Sequence, residues 1–179
     1  MKRLVSALLA LIFMISCMAV DVSAYSENDI ALTGAVLEGE IWTVVGAYAL
    51  CTSNWEPADP NNQMIWNAEK GTYEKMYIGV PAGTHEFMVA KGTSWSEGIY
   101  NLQGNVRDGG GNAYVNVTTD GSAVTVGFDG TKAYVLVTPP SKSGDFSYIV
   151  LPDNTAEITD YSGSDTDLTI PSTLDGYAV

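Results

Sequence analysis

The sequence predicts an all-β fold, a sandwich of short strands, and three observations predict it. Apolar and polar residues alternate over short runs, turn signatures such as "PAG", "DGGGN", "TDGS" and "DGT" punctuate those runs, and beyond the first 24 residues no stretch keeps a helical apolar period. The expected strands, in order, are Ile41–Val45, Gln63–Asn67, Glu74–Gly79, Gly83–Ala90, Tyr114–Val117, Ala123–Phe128 and Ala133–Val137. About seven strands in roughly 110 residues is the density of a two-sheet sandwich. In the run from Gly83, His85, Phe87 and Val89 share one face and Glu86 and Met88 the other; from Ala123, Val124, Val126 and Phe128 line up opposite Thr125 and Gly127. Those apolar faces are the expected core. Trp42, opening its strand in "EIWTVVG", is expected to join them.

Before the sandwich lies a leader. Lys2 and Arg3 precede an apolar run from Leu4 to Met14, and Val22-Ser23-Ala24 is a small-x-small end, so residues 1–24 read as a secretory signal cut after Ala24. "MISC" offers a second reading, an imperfect lipobox in which Cys17 would carry lipid and tether the protein to the cell surface. The apolar run is short for a membrane span and Ser16 and Asp21 break it. The sandwich is expected over residues 32–138. A linker follows at 139–145, where Pro139, Pro140, Ser141, Ser143 and Gly144 loosen the chain. Residues 146–179 form a smaller tail in which "YIVL" and "LTIP" look like strands around a turn-rich middle. This tail is expected to be poorly anchored, because it has little apolar surface to bury.

With 21 acidic residues against 8 Lys and Arg, and a net charge of −13, nucleic acid and anionic membranes are poor partners. Cys51 is the one cysteine outside the leader, so no cystine framework is expected. Catalytic chemistry is thinly represented. The single His85 alternates with Phe87 on a strand, Cys51 has no basic partner in sequence, no G-x-S-x-G elbow occurs, and Asp108, Asp120, Asp129, Asp153 and Asp165 sit in turns. "GNVRDGGGN" lacks the Lys-Ser/Thr and the helix of a phosphate loop, and "TDYSGSDTD" lacks calcium-loop spacing. No metal and no cofactor are expected.

The aromatic residues carry more information. Trp55 in "TSNWEPADPNNQM" and Trp95 in "KGTSWSEGIYN" fall in runs of Gly, Ser, Asn and Pro that read as loops, where a ring is either folded back on the core or held out for a ligand. Rings among amides and carboxylates suit a sugar, whose C–H face packs on the ring while polar groups bond its hydroxyls.

From Leu32 to Val137, "TVVGAYALCTSNWEPADPNNQMIWN", "MYIGVPAGTHEFMVAKGTSWSEGIYN" and "GGGNAYVNVTTDGSAVTVGFDGTKAYV" resemble the accessory module carried beside bacterial pullulanases and amylopullulanases. The resemblance rests on Asn54-Trp55 followed by Pro57, "PAGTHEF", "GTSW" with Tyr100 after it, Gly110-Gly111-Asn112, and the "VTVGFDGTKAYV" hairpin. It implies an immunoglobulin-like β-sandwich, non-catalytic, that binds starch and maltooligosaccharides, with Trp55, Trp66, Trp95, Tyr100, Lys91 and Asn112 as the sugar-contacting set. Where the family often has a lysine this chain has Met88, so a lysine contact is lost or moves to Lys91; the family's cysteine pair is reduced to Cys51. The tail resembles the opening of a BspA-type leucine-rich repeat array, which implies contacts with proteins or cell surfaces. Two other readings stay open, a surface adhesin in which the sandwich is a spacer, and the accessory part of an α-glucan hydrolase whose catalytic domain lies farther along.

Overall fold

The computed structural model describes residues 39–106 and 110–179; the leader, the lipobox at Cys17, the first residues of the expected sandwich and Asp108 lie outside them. Two antiparallel sheets make the sandwich. The first contains β1 (Trp42–Gly46), β4 (Gly83–Lys91), β5 (Ile99–Asn101), β6 (Gly104–Asn105) and β7 (Ala113–Val117). The second runs β2 (Ile65–Asn67), β3 (Thr72–Val80), β8 (Ser122–Phe128) and β9 (Ala133–Thr138), in the order β2-β3-β8-β9. The chain is an all-β sandwich, as its alternation predicts, and each expected strand from Ile41 to Val137 is present with ends shifted by one or two residues.

The centre of the first sheet is β4, which pairs with β1 along one edge and with two strands in succession along the other. Gly83–Phe87 meets Val117–Ala113, and then Val89–Ala90 meets Tyr100–Ile99. The inward residues Val44, Phe87, Val89, Val115 and Val117 face Tyr73, Tyr77, Val124, Val126 and Phe128 of the second sheet in one continuous cluster. Trp42 bridges the layers, its ring 4.1 Å from Phe128 and 6.4 Å from Tyr73. His85 is buried at the core's end with Nε2 at 2.8 Å from the Pro81 carbonyl, a structural partner. A bulge between Tyr77 and Val80 falls where Gly79 takes φ +72°, a backbone setting that glycine reaches without steric cost.

Three expectations change. "KGTSWSEGIYN" reads as loop throughout, yet Ile99–Asn101 forms β5, paired on both sides. Alternation cannot reveal a strand so short with glycine and serine at its mouth; its partner in β4 does. The segment expected as a linker contains β10 (Ser141–Ser143), which pairs with β11 (Phe146–Val150). In the tail, Tyr148–Val150 of "YIVL" lies in β11, with Leu151 just past its end, but the second strand is the supposed turn-rich middle, β12 (Ala156–Tyr161), while "LTIP" is irregular. β13 (Thr173–Leu174) and β14 (Tyr177–Ala178) close a two-residue hairpin. Tyr148, Ala156 and Leu174 are buried together, with Phe146, Val150, Ile158 and Tyr177 packed around them, so the tail builds a small core of its own. It also touches the sandwich: a Cβ placed on Gly121 would come within 3.0 Å of Thr159 Oγ1, a buried hydroxyl with no hydrogen-bond partner.

Candidate functional site

The loop between β1 and β2 carries Trp55, and its polar residues fold inward to hold it. Asn62 is fully buried: its Oδ1 accepts from Thr52 N–H at 3.2 Å and from the Tyr77 hydroxyl at 3.2 Å, while its Nδ2 donates to Ser53 Oγ and Asp59 Oδ2. Asp59 also accepts from the Thr52 hydroxyl at 2.7 Å and from the Asn61 backbone at 2.9 Å, capping a 3-10 turn at Pro60–Asn62. Trp55 N–H donates to Gly46 carbonyl at 2.9 Å, fastening the loop along the outer edge of β1. The result is a half-buried tryptophan at φ +56°, a left-handed setting that costs a bulky side chain about 1 kcal/mol and persists only where the surroundings hold it.

Hydrogen bonds from the Thr52 hydroxyl, then from Asn61 N–H and Ser53, hold the Asp59 carboxyl down at about 2. A carboxyl lowered in this way stabilises the loop above its unfolded value, near pH 4, and the effect disappears as pH falls through about 2. Tryptophan fluorescence should therefore hold steady down to about pH 4 and change between about pH 4 and 2, and Asp59→Asn should abolish that step. A parent and variant with the same acid titration would separate Asp59 from the loop's order.

The other predicted contacts divide into separate places. Asn112 stands at the mouth of β7 and donates from Nδ2 to Glu86 Oε2 at 2.8 Å, on the outward face of the first sheet. Glu86 is at the level where Ala47 N–H reaches the Glu86 carbonyl, so Asn112 and the Trp55 anchor flank one level of the sheet from opposite sides. Lys91 and Trp95 lie toward the Trp42 end of β1, roughly 13 Å along the strand from Gly46. Trp95 is 46 % exposed, so it does not fold back on the core. Lys91 is not a free substitute for the missing lysine at Met88. It alternates onto the opposite face of β4, is 2.7 Å from Glu40, and has its Nζ 5.5 Å from the Trp42 ring centroid. Hydrogen bonding to Glu40 raises its pKa.

Tyr100 and Trp66 are not held out. Tyr100 packs edge-on against Trp42 at 5.5 Å and on Phe128 at 4.8 Å, and Trp66 packs on Tyr73 at 5.2 Å, both at the rim of the core. The reason is register. β5 places Tyr100 opposite Val89 and β2 places Trp66 opposite Tyr73, on the inward faces.

Sequence reasoning missed Tyr48, which is 71 % exposed at the turn that begins the Trp55 loop. It borders a cleft of about 570 Å³ together with Thr52, Asn61, Lys75 and, from the tail, Glu157. An exposed ring beside amide, hydroxyl, ammonium and carboxylate groups is the chemistry of a sugar site. Nothing local in "GAYALC" distinguishes this tyrosine; only the fold brings Lys75 and Glu157 to it.

Among the described residues no group of three or more His, Cys, Asp or Glu could hold a metal ion. Two antiparallel sheets around one apolar cluster define a β-sandwich module. The chain belongs to the pullulanase X25 domain family, which matches over residues 35–135. X25 is an accessory domain of pullulanase. No curated protein matches the chain. No helix of the described residues is long and apolar enough to cross a membrane.

Proposed function

We propose that the chain is a secreted, non-catalytic module that binds α-glucan, starch and maltooligosaccharides, through the Trp55 loop and the Tyr48 cleft that the same loop lines. The observation that carries this reading is the construction of the loop. A bulky ring is kept in a left-handed backbone setting by a buried asparagine with four side-chain hydrogen bonds, in a chain of the pullulanase X25 family. Such rigidity serves binding, because less ordering is required when the ligand arrives.

In native affinity gels the protein should be retarded by amylopectin and hardly at all by a cellulose derivative. Trp55→Ala should lose roughly 1–3 kcal/mol of binding, the range for removing an aromatic stacking surface. Its folding stability should stay within about 1 kcal/mol of the parent. Equal mobility of the parent with and without amylopectin would overturn the reading; retardation of Trp55→Ala equal to the parent's would remove that residue from the site. Trp95→Ala tests the far end: with its ring exposed, the melting curve should not move by more than about 0.5 kcal/mol, and weaker retardation would extend the glucan's path to it.

A second reading gives the tail a role of its own, as the start of a leucine-rich repeat array that contacts proteins or cell surfaces. Leu168 and Ile170 are exposed in the irregular segment, the kind of surface a stacked repeat would cover. The gene sequence downstream of Val179 discriminates: further repeats favour it, and a glycosidase domain favours an accessory role in α-glucan hydrolysis.

A further inference from the structure

One row of residues crosses the whole second sheet: Ile65 on β2, Glu74 on β3, Gly127 on β8 and Tyr134 on β9. All point outward, away from the core. The Tyr134 side chain crosses β8 and donates its hydroxyl proton to Glu74 Oε1 at 2.6 Å. It can do so because position 127 is glycine. A Cβ there would fall 2.0 Å from Tyr134 Cζ and 2.4 Å from each of Cε1 and Cε2. Equal distances to the two flanking carbons, both longer than the distance to Cζ, describe a point above the ring plane, so the face of the ring lies on the glycine. Its other face is directed away from the sheet.

The surroundings are fixed and open. Glu74 is also bonded by Lys70 Nζ at 2.7 Å and Asn67 Nδ2 at 2.8 Å, and Thr72 Oγ1 is 3.1 Å from the Tyr134 hydroxyl. Ile65 and Leu136, on the same outer face, are 75 % and 59 % exposed, so nothing in the described residues covers it. A carboxylate has room for about four hydrogen bonds and an ammonium can donate three, and these partners leave donors and acceptors at the ring's edge.

We propose that this face is a second pyranose-stacking platform, built on Tyr134, for the same α-glucan; the proposal rests on the α-glucan reading given above. One sugar ring packs its C–H face on Tyr134, and its hydroxyls bond Glu74 Oε2 and the remaining protons of Lys70. Two separate surfaces on one module let a long glucan chain, or two neighbouring chains in a granule, engage together, so that the second contact forms at high effective concentration.

The test is a maltoheptaose titration of the ¹⁵N-labelled protein, followed at backbone amides, for the parent, Trp55→Ala and Tyr134→Leu. Leucine keeps an apolar cover on Gly127 while removing the flat ring, and each variant's own spectrum reports whether it is folded; Lys70→Ala, at an exposed position, weakens the same platform without touching the ring. The expected result is that amides of Glu74, Gly127 and Leu136 shift in the parent and in Trp55→Ala, and that Tyr134→Leu weakens those shifts by at least about tenfold. Silence at these amides while loop 47–63 responds would overturn the platform and leave the first site standing. Response at the platform with a silent loop would overturn the Trp55 site alone, and silence everywhere would overturn both.

Discussion

Trp42→Ala is expected to cost about 3–5 kcal/mol of folding stability, the range for deleting a buried aromatic side chain. Trp42 is buried, and its ring joins the sheets, meeting Phe128 and Tyr73 across the sandwich and Tyr100 on its own side. Lys91 and Glu40 close over it at the edge, the indole N–H donating to Glu40 Oε2 at 3.2 Å. Alanine would leave a cavity bounded by strands that are fixed by their own ladders and cannot collapse into it. A urea melt should show a lower midpoint at nearly unchanged slope. A loss under about 1 kcal/mol would mean that the layers are held elsewhere.

Asn62→Ala is expected to act on stability and on binding at once. It removes the shared acceptor of Thr52 N–H and the Tyr77 hydroxyl, and the donor to Ser53 and Asp59. Leaving the buried Tyr77 hydroxyl without its acceptor costs about 1–3 kcal/mol, and the half-buried Thr52 N–H adds less. The loop that keeps Trp55 left-handed loses its internal support, so retardation by amylopectin should fall at least as far as in Trp55→Ala although Asn62 is buried and reaches no ligand. Paired melts and gels check this. A variant that is destabilised but binds like the parent would show that the loop keeps its shape without the asparagine.

The strands were legible where side chains alternate on a half-buried surface: Phe87 and Val89, Val124 and Val126, and Trp42 as core. What was not legible depends on partners far along the chain. Tyr100 is inward because β5 finds Val89, Trp66 because β2 finds Tyr73, and Lys91 is tied up because Glu40 lies across the sheet end. Asn62 was invisible for a related reason, since a polar residue in a Pro- and Asn-rich run reads as solvated surface until four partners converge on it. The tail misled in both directions. "LTIP" has β-branched and apolar residues but no strand to pair with, whereas "AEITDY" is polar enough to read as turn and is drawn into a sheet by β11. Of the six sugar-contact candidates, loop composition singled out Trp55 and Trp95; Tyr48 and Tyr134 enter the two proposed surfaces only because the fold brings Lys75 and Glu157 to the one and Glu74 to the other.

Cys51 floors the Tyr48 cleft, its thiol donating to the Tyr77 hydroxyl at 3.8 Å, and burial pushes it up to about 11. Only a thiolate attacks a disulfide or an alkylating reagent, so at neutral pH roughly one thiol in ten thousand is in the reactive form even before access is considered. Chemical modification must then wait for the turn above it to open. A disulfide reagent thus becomes a stopwatch for that opening, and a glucan seated over the turn should slow it to the fraction of molecules left unoccupied.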